Sequence, residues 1–207
     1  TLRHSSAASD VYKRQDAQND EGYINEDATL TVSNGANAND ETPDASGEHT
    51  GDVINTSSSD HEDTDADGDT LIITEIRTGS SEGSGTAGTV GSSLTGTYGQ
   101  LTMNQNGSYT YIANQDAADA LDPGDTVTDS FNYTVDDQSG AANATDKAVL
   151  EITIAGVNDP ITAVNDTDDV NENATISRST SDTQELDHND TDPDGDDNKL
   201  RWNFGGN

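Results

Sequence analysis

Two acidic runs carry the residues best spaced for chemistry. Asp63-Thr64-Asp65-Ala66-Asp67-Gly68-Asp69 sets four carboxylates on alternate residues with a glycine among them, and Asp190-Thr191-Asp192-Pro193-Asp194-Gly195-Asp196 repeats the arrangement. Side chains at i, i+2 and i+4 converge only if the backbone curls around a centre, and converged carboxylates repel one another unless a cation lies between them. Ca²⁺ suits such a centre, because it accepts six to eight hard oxygen ligands in forgiving geometry. The runs match the first half of a helix-loop-helix calcium loop. The second half fails, because the twelfth position counted from Asp63 is Thr74 instead of a bidentate Glu. The residues that follow, Leu71-Ile72-Ile73-Thr74-Glu75-Ile76, are β-branched and strand-like. The expectation is a calcium-type loop feeding a strand, with Asp63, Asp65, Asp67 and Asp69 as ligands in one copy and Asp190, Asp192, Asp194 and Asp196 in the other.

No other constellation points to catalysis. An active site needs distinct convergent roles. Of the four histidines, His4 lies in the leading segment, and His49, His61 and His188 lie in acidic loops as expected surface residues. Carboxylates are so frequent that no pair marks a glycosidase dyad. The absence of cysteine excludes disulfide staples and thiolate metal sites. The expectation is a protein that is not an enzyme.

The net charge of −33 over 207 residues opposes binding to nucleic acid and to anionic membranes, and no run approaches the length of a membrane span. Residues 1–15 resemble the in-frame translation of a sequencing adapter around Val11-Tyr12-Lys13-Arg14-Gln15, and are expected to be unstructured. Without them, five Lys and Arg face forty Asp and Glu. Leu, Ile, Val and Phe make up about 15% of the total, a content that with high charge marks disorder. The apolar residues are nonetheless patterned, which predicts a fold that relies on cations to neutralise its charge.

The elements that must position the acidic runs are short strands. Ile24, Ala28, Leu30 and Val32 alternate within residues 23–32. Asp52-Val53-Ile54-Asn55 is the one strand-like piece of a polar insertion over 34–59, and Gly79 to Gly91 reads as a flexible small-residue stretch. Residues 100–104 and 108–112 flank Asn106-Gly107, a strong hairpin signal. Asp116 to Leu121 suits a single helical turn. Phe131, Tyr133 and Val135 alternate inward, as do Ala148, Leu150, Ile152 and Ile154. About seven short strands without a long helix predict an all-β protein, an antiparallel immunoglobulin- or cadherin-like β-sandwich. Its expected core includes Leu71, Ile73, Leu101, Tyr111, Phe131, Tyr133, Leu150 and Ile152. Tyr98, Tyr109, Tyr111, Phe131 and Tyr133 are expected to be core aromatics, with a carbohydrate-stacking platform as their alternative use.

The pattern then begins again. Ala163-Val164-Asn165-Asp166 and Val170-Asn171-Glu172-Asn173-Ala174 repeat Ala17-Gln18-Asn19-Asp20 and Ile24-Asn25-Glu26-Asp27-Ala28 at an offset of 146 residues; the acidic runs repeat at 127. The organisation expected is a leading segment 1–15, a complete repeat 16–158, and the truncated start of a next repeat 159–207, cut inside a strand at Leu200 to Phe204. Such a fragment is expected to belong to a longer tandem array.

Residues 63–71, Gly96-Thr97-Tyr98-Gly99-Gln100-Leu101, Asn106-Gly107-Ser108-Tyr109-Thr110-Tyr111 and Asp129 to Asp137 together resemble a VCBS-type repeat, a bacterial cadherin-like module of immunoglobulin fold. The resemblance covers about residues 20–158 and the start of the second copy. It implies a calcium-stiffened extender in a large RTX-type adhesin, secreted or anchored at the cell surface and exported by a type I system. Its partners would be neighbouring repeats, with a cell-surface glycan or protein engaged through other domains. A glycan- or protein-binding module and an accessory domain of a secreted hydrolase are the alternatives. The resemblance also implies ligands: Glu26 and Glu172 in the first strand, Asn158 and Asp159 in the linker, the Asp65/Asp67 and Asp192/Asp194 pairs, and Asp137. Asn158 and Asp159 would be clamped by the second acidic loop, with Glu26 and Asp137 from the first repeat. Gly156 and Pro160 stand where a full cadherin linker run has ligands, which argues against a complete three-ion set. The glycine-rich nonapeptide calcium roll is absent.

Overall fold

The computed structural model describes residues 15–35, 51–56, 61–165, 167–177 and 190–194. Two sheets face each other. One has the strand order β2 (Asp20–Asn25), β11 (Thr145–Ala155), β10 (Thr126–Asp136), β5 (Ile72–Thr78), β6 (Ala87–Gly88). The other runs β3 (Thr29–Val32), β9 (Tyr109–Ile112), β8 (Gln100–Met103), β7 (Leu94–Thr95). A ribbon of β1 (Gln15–Asp16) and β4 (Thr64–Asp65) joins the first of the described residues to the first acidic loop. The sandwich is all-β as the alternation predicts, and no helix occurs among the described residues. One pairing departs from the antiparallel rule: β2 lies parallel to β11, Asp20 opposite Leu150 and Asn25 opposite Ala155.

The parallel pair follows from how the polypeptide crosses between sheets. Between β2 and β3 the backbone kinks at Asp27, whose φ is +57°. Aspartate tolerates this left-handed conformation better than a branched residue would. The Glu26 amide donates to Ala155 O and the Asp27 amide to Ala113 O, both at 3.0 Å, so the kink is tied to both sheets. The alternation on either side then turns Ile24 into the core from one sheet and Leu30 from the other.

All eight expected core residues are buried, and Phe131 stands opposite Leu150 across β10 and β11. The Tyr111 and Phe131 rings meet edge to face with centroids 6.1 Å apart, joining the two sheets. Tyr109, Tyr111 and Tyr133 are core residues, while Tyr98 is half-buried. The β8–β9 hairpin turns as expected, but through a three-residue loop: the Asn104 amide donates to Ser108 O, the Gly107 amide donates to Asn104 O, and only Gly107 has positive φ. Residues 115–121 form the expected turn, closed by amides of Ala118 and Asp119 on Gln115 O.

Three expectations change. Residues 52–55 form a tight turn closed by the Gly51–Thr56 bridge, because the Asp52 carboxylate accepts from the amides of Ile54 and Asn55 and competes with strand formation. Val53 and Ile54 are buried all the same. The stretch 79–86 folds over the outer face of β10. There Asn132 accepts from the Gly83 amide at 2.9 Å and donates through Nδ2 to Gly79 O and Ser84 O. Asn132 is itself buried. Asn132→Ala is expected to cost about 1–3 kcal/mol, the range for stranding buried polar groups. Hydrogen exchange should then quicken at Gly83 while the β8–β9 amides stay protected. Finally, Gln15, assigned from sequence to the unstructured leader, pairs with Asp65 and is 1% exposed. Ribbon pairing uses main-chain groups alone, so it extends past the residues whose side chains look native. The rest of that segment, residues 1–14, lies outside the described residues, as do most of the insertion, Asp196 and the strand at Leu200 to Phe204.

Candidate calcium-binding poles

β10 and β11 run antiparallel over eleven residues each. At about 3.3 Å per residue they hold the two ends of the sandwich roughly 30 Å apart. The expected ligands divide between these poles.

At the first pole the acidic loop turns at Gly68, whose φ is +82°. The four carboxylates do not converge. Asp65 organises the loop by accepting through Oδ1 from the amides of Asp67 (2.8 Å) and Asp69 (3.0 Å), and both of those side chains are exposed. Asp63 turns inward, where Oδ1 accepts from the Gln18 amide at 2.7 Å and Oδ2 lies 3.3 Å from the Tyr133 hydroxyl. That hydroxyl donates to Asp20 Oδ2 at 2.6 Å and also lies 3.1 Å from Gln18 O and Val53 O. One proton cannot serve four oxygens. Burial first raises both carboxyls, with the charges of Asp63 and Asp52 behind it for Asp20 and those of Asp146 and Asp52 for Asp63, which reaches about 8. Asp20 and Tyr133 were not singled out from the sequence as site residues. An aspartate among so many acids gives no signal of burial, and only the β2–β11–β10 register brings the two together. Asp146 is close by, accepting from the Ala17 amide.

Asp137 also belongs to this pole, at the turn after β10, with its amide on Ala144 O. It was expected beside Glu26 at the linker. The β10–β11 register forbids this, because Asp136 pairs with Thr145 while Glu26 sits past Ala155 at the other end.

The second pole gathers the linker. Glu26 is buried under the kink, and its Oε1 accepts from the Val157 amide. Asp194 Oδ2 accepts from the Asp159 amide at 3.0 Å, and Asn158 Nδ2 donates to Asp159 O. Glu26, Asp159 and Asp194, expected together, are thus neighbours, and all three are buried. Desolvation raises the carboxyls of Glu26 and Asp159. Repulsion adds to this, from Asp159, Asp194 and Asp27 on Glu26, and from Asp194, Asp27 and Asp119 on Asp159. Asp119, on the 115–121 turn, is an acidic neighbour missed in the sequence. Glu26 Oε2, Asp192 Oδ1 and Asp194 Oδ1 are buried without a hydrogen-bond partner. No three carboxylates or histidines among the described residues are already gathered in metal-binding geometry.

The opening of the first unit is reproduced beyond the linker. Asp16 pairs with Thr64, and Thr162 pairs with Thr191. The Gln18 amide donates to Asp63, and the Val164 amide donates to Asp190, both at 2.7 Å. Asn173 has φ +67°, matching Asp27. Glu172, the counterpart of Glu26, is exposed. These correspondences keep the offsets of 146 and 127 residues.

The family described as bacterial cadherin-like domain matches residues 44–156, just over half of the sequence. No curated protein matches it.

Proposed function

Because the protein belongs to the bacterial cadherin-like domain family, we propose that it is part of a tandem, calcium-stabilised extender of a VCBS-type surface adhesin. The family is one of structural and adhesion modules, typically extracellular and not typically enzymatic. Among the described residues no helix is long and apolar enough to cross a membrane.

The observation that carries the calcium reading is the set of orphaned buried oxygens at the linker. Glu26 Oε2, Asp192 Oδ1 and Asp194 Oδ1 lack partners, and the carboxyls around them repel. A buried unsatisfied acceptor is costly unless something completes it. A hard divalent cation would satisfy these oxygens and neutralise the repulsion at once. Glu26 would hold it from the first unit, Asn158 and Asp159 from the linker, and Asp192 and Asp194 from the second opening, with Asp119 in reach of the same field. At the first pole Asp65, Asp67, Asp69 and Asp137 would serve the preceding junction in the same way. Ca²⁺ supplies charge and a coordination shell, and so fixes the angle between successive units. Export to the cell surface, where millimolar calcium is available, accords with this use.

The test is thermal unfolding of the protein in Ca²⁺, in Mg²⁺ and in chelator. At a hundredfold excess over Kd, one site adds about 2.7 kcal/mol, or roughly 5–10 °C for a protein of this size. Glu26→Gln and Asp194→Asn are expected to remove most of the linker's share of that gain. Equal melting in calcium and chelator would remove the reading and leave an acidic sandwich.

A further inference from the structure

The sequence holds two Asn-Gly steps, Asn34-Gly35 and Asn106-Gly107. They are far apart in sequence and touch in the fold. Asn34 Nδ2 donates to Asn106 O at 2.8 Å. Both steps close on Asp52, a carboxylate 2% exposed. Its Oδ2 accepts from the Gly35 amide at 2.6 Å and from Asn34 Nδ2 at 3.2 Å. Gly107 packs so closely on the same group that a Cβ there would lie 2.4 Å from Oδ1.

Asn-Gly is the step least hindered toward imide formation. The glycine nitrogen, having lost its proton, attacks Asn Cγ. A ring bond forms between that nitrogen and Cγ, the bond from Cγ to Nδ2 breaks, and ammonia leaves with the proton. Water then opens the ring to aspartate or isoaspartate, and no oxidant or reductant takes part. Both glycine amides are engaged here, Gly35 on the Asp52 carboxylate and Gly107 on Asn104 O at 3.1 Å. A carboxylate on the Gly35 N–H opposes loss of that proton, and the bond from Asn34 Nδ2 to the same oxygen ties down the side chain that would have to swing onto it.

We propose that Asn34 and Asn106 are a coupled pair of deamidation sites which Asp52 keeps closed, and that conversion of Asn34 is the event that opens this corner of the sandwich. The two residues differ in what conversion does. Asn34 works as a donor, to Asp52 and to Asn106 O. An aspartate at 34 replaces both donors with a charge facing another carboxylate and a carbonyl. Asn106 works through Oδ1, accepting from the Ser108 amide and hydroxyl. An aspartate at 106 keeps that acceptor.

The experiment holds the 207-residue protein in mildly alkaline buffer and follows conversion at both positions by peptide mass mapping, with short peptides spanning each step as unprotected references. In the folded protein both steps are expected to convert at least about tenfold more slowly than in the peptides, because reaction must wait for local opening. Asp52→Ala is expected to accelerate conversion at Asn34 more than at Asn106. Asn34→Asp and Asn106→Asp carry the test if Asp52→Ala does not fold: the first is expected to lower the melting temperature and the second to leave it unchanged. Conversion of Asn34 at the peptide's rate in the wild-type protein would overturn the proposal, as would equal melting of the two aspartate variants.

Discussion

In chelator, the stability of the protein is expected to fall as pH rises from about 4 to about 8, by about 1.4 kcal/mol per pH unit for each buried carboxyl that titrates. The sign comes from Asp63, whose carboxyl is raised from 3.8 to about 8 by burial and by the charges of Asp146 and Asp52, against hydrogen bonds from the Gln18 amide and Tyr133 that lower it. Below about pH 4 both folded and unfolded states keep the proton, so pH has no leverage through this group. Between the two values the unfolded state releases the proton and the folded state retains it. The unfolded state then binds fewer protons, and rising pH favours unfolding. Above about pH 8 both states are ionised and the loss is complete. Asp20 is shifted in the same direction, chiefly by burial, and shares the Tyr133 hydroxyl. Urea unfolding across a pH series measures the slope. Asp20→Asn and Asp63→Asn separate this local contribution from the general self-repulsion of so acidic a protein, because each is expected to flatten the slope in its own window. Stability that is level or rises over that range would contradict the assignment.

Asp129→Ala is expected to cost about 3–5 kcal/mol, because three donors lose their acceptor at about 1–3 kcal/mol each and two of them are only part-buried. Asp129 is buried on β10 and accepts three bonds: from the Thr97 amide at 3.2 Å, the Tyr98 amide at 3.1 Å and the Tyr111 hydroxyl at 2.9 Å. Truncation leaves three donors without an acceptor and opens space beneath Gly96, which lies against the carboxylate. Tyr111→Phe removes one donor and keeps the edge-to-face contact with Phe131, so its cost is expected to be about 1 kcal/mol. Equilibrium denaturation measures both, and hydrogen exchange at Thr97 and Tyr98 shows where the loss falls. An Asp129→Ala protein as stable as the Tyr111→Phe protein would show that the clamp contributes little.

The strands were legible because period-two alternation is a local signal. Phe131, Tyr133 and Val135, and Ala148, Leu150, Ile152 and Ile154, are all buried as their spacing predicts. The Gly107 turn and the repeat offsets were legible for the same reason. The carboxylates resist such reading. Whether an aspartate faces a cation, a tyrosine hydroxyl or water depends on which strand passes behind it. Asp63 and Asp65 are two residues apart, yet one is turned into the core and the other braces a loop. Asp137 follows its strand to the pole opposite Glu26, because the β10–β11 register and not sequence proximity sets its place. Asp20, Asp52 and Asp129, the acidic residues that hold most of the buried polar network, look in the sequence like any of the other acids.

The parallel pairing of β2 with β11 bears on how the unit meets mechanical load. The six residues Asp20–Asn25 lie beside Leu150–Ala155, with the incoming segment entering at one pole and the outgoing segment leaving at the other. Tension applied along an array pulls these two strands past each other lengthwise, so all the rungs between them strain together. An antiparallel pair gripped at adjacent ends would instead peel open one rung at a time. In the array proposed above, the unit would carry tension between its two ends as a lap joint does, with its greatest resistance along the axis of β2 and β11.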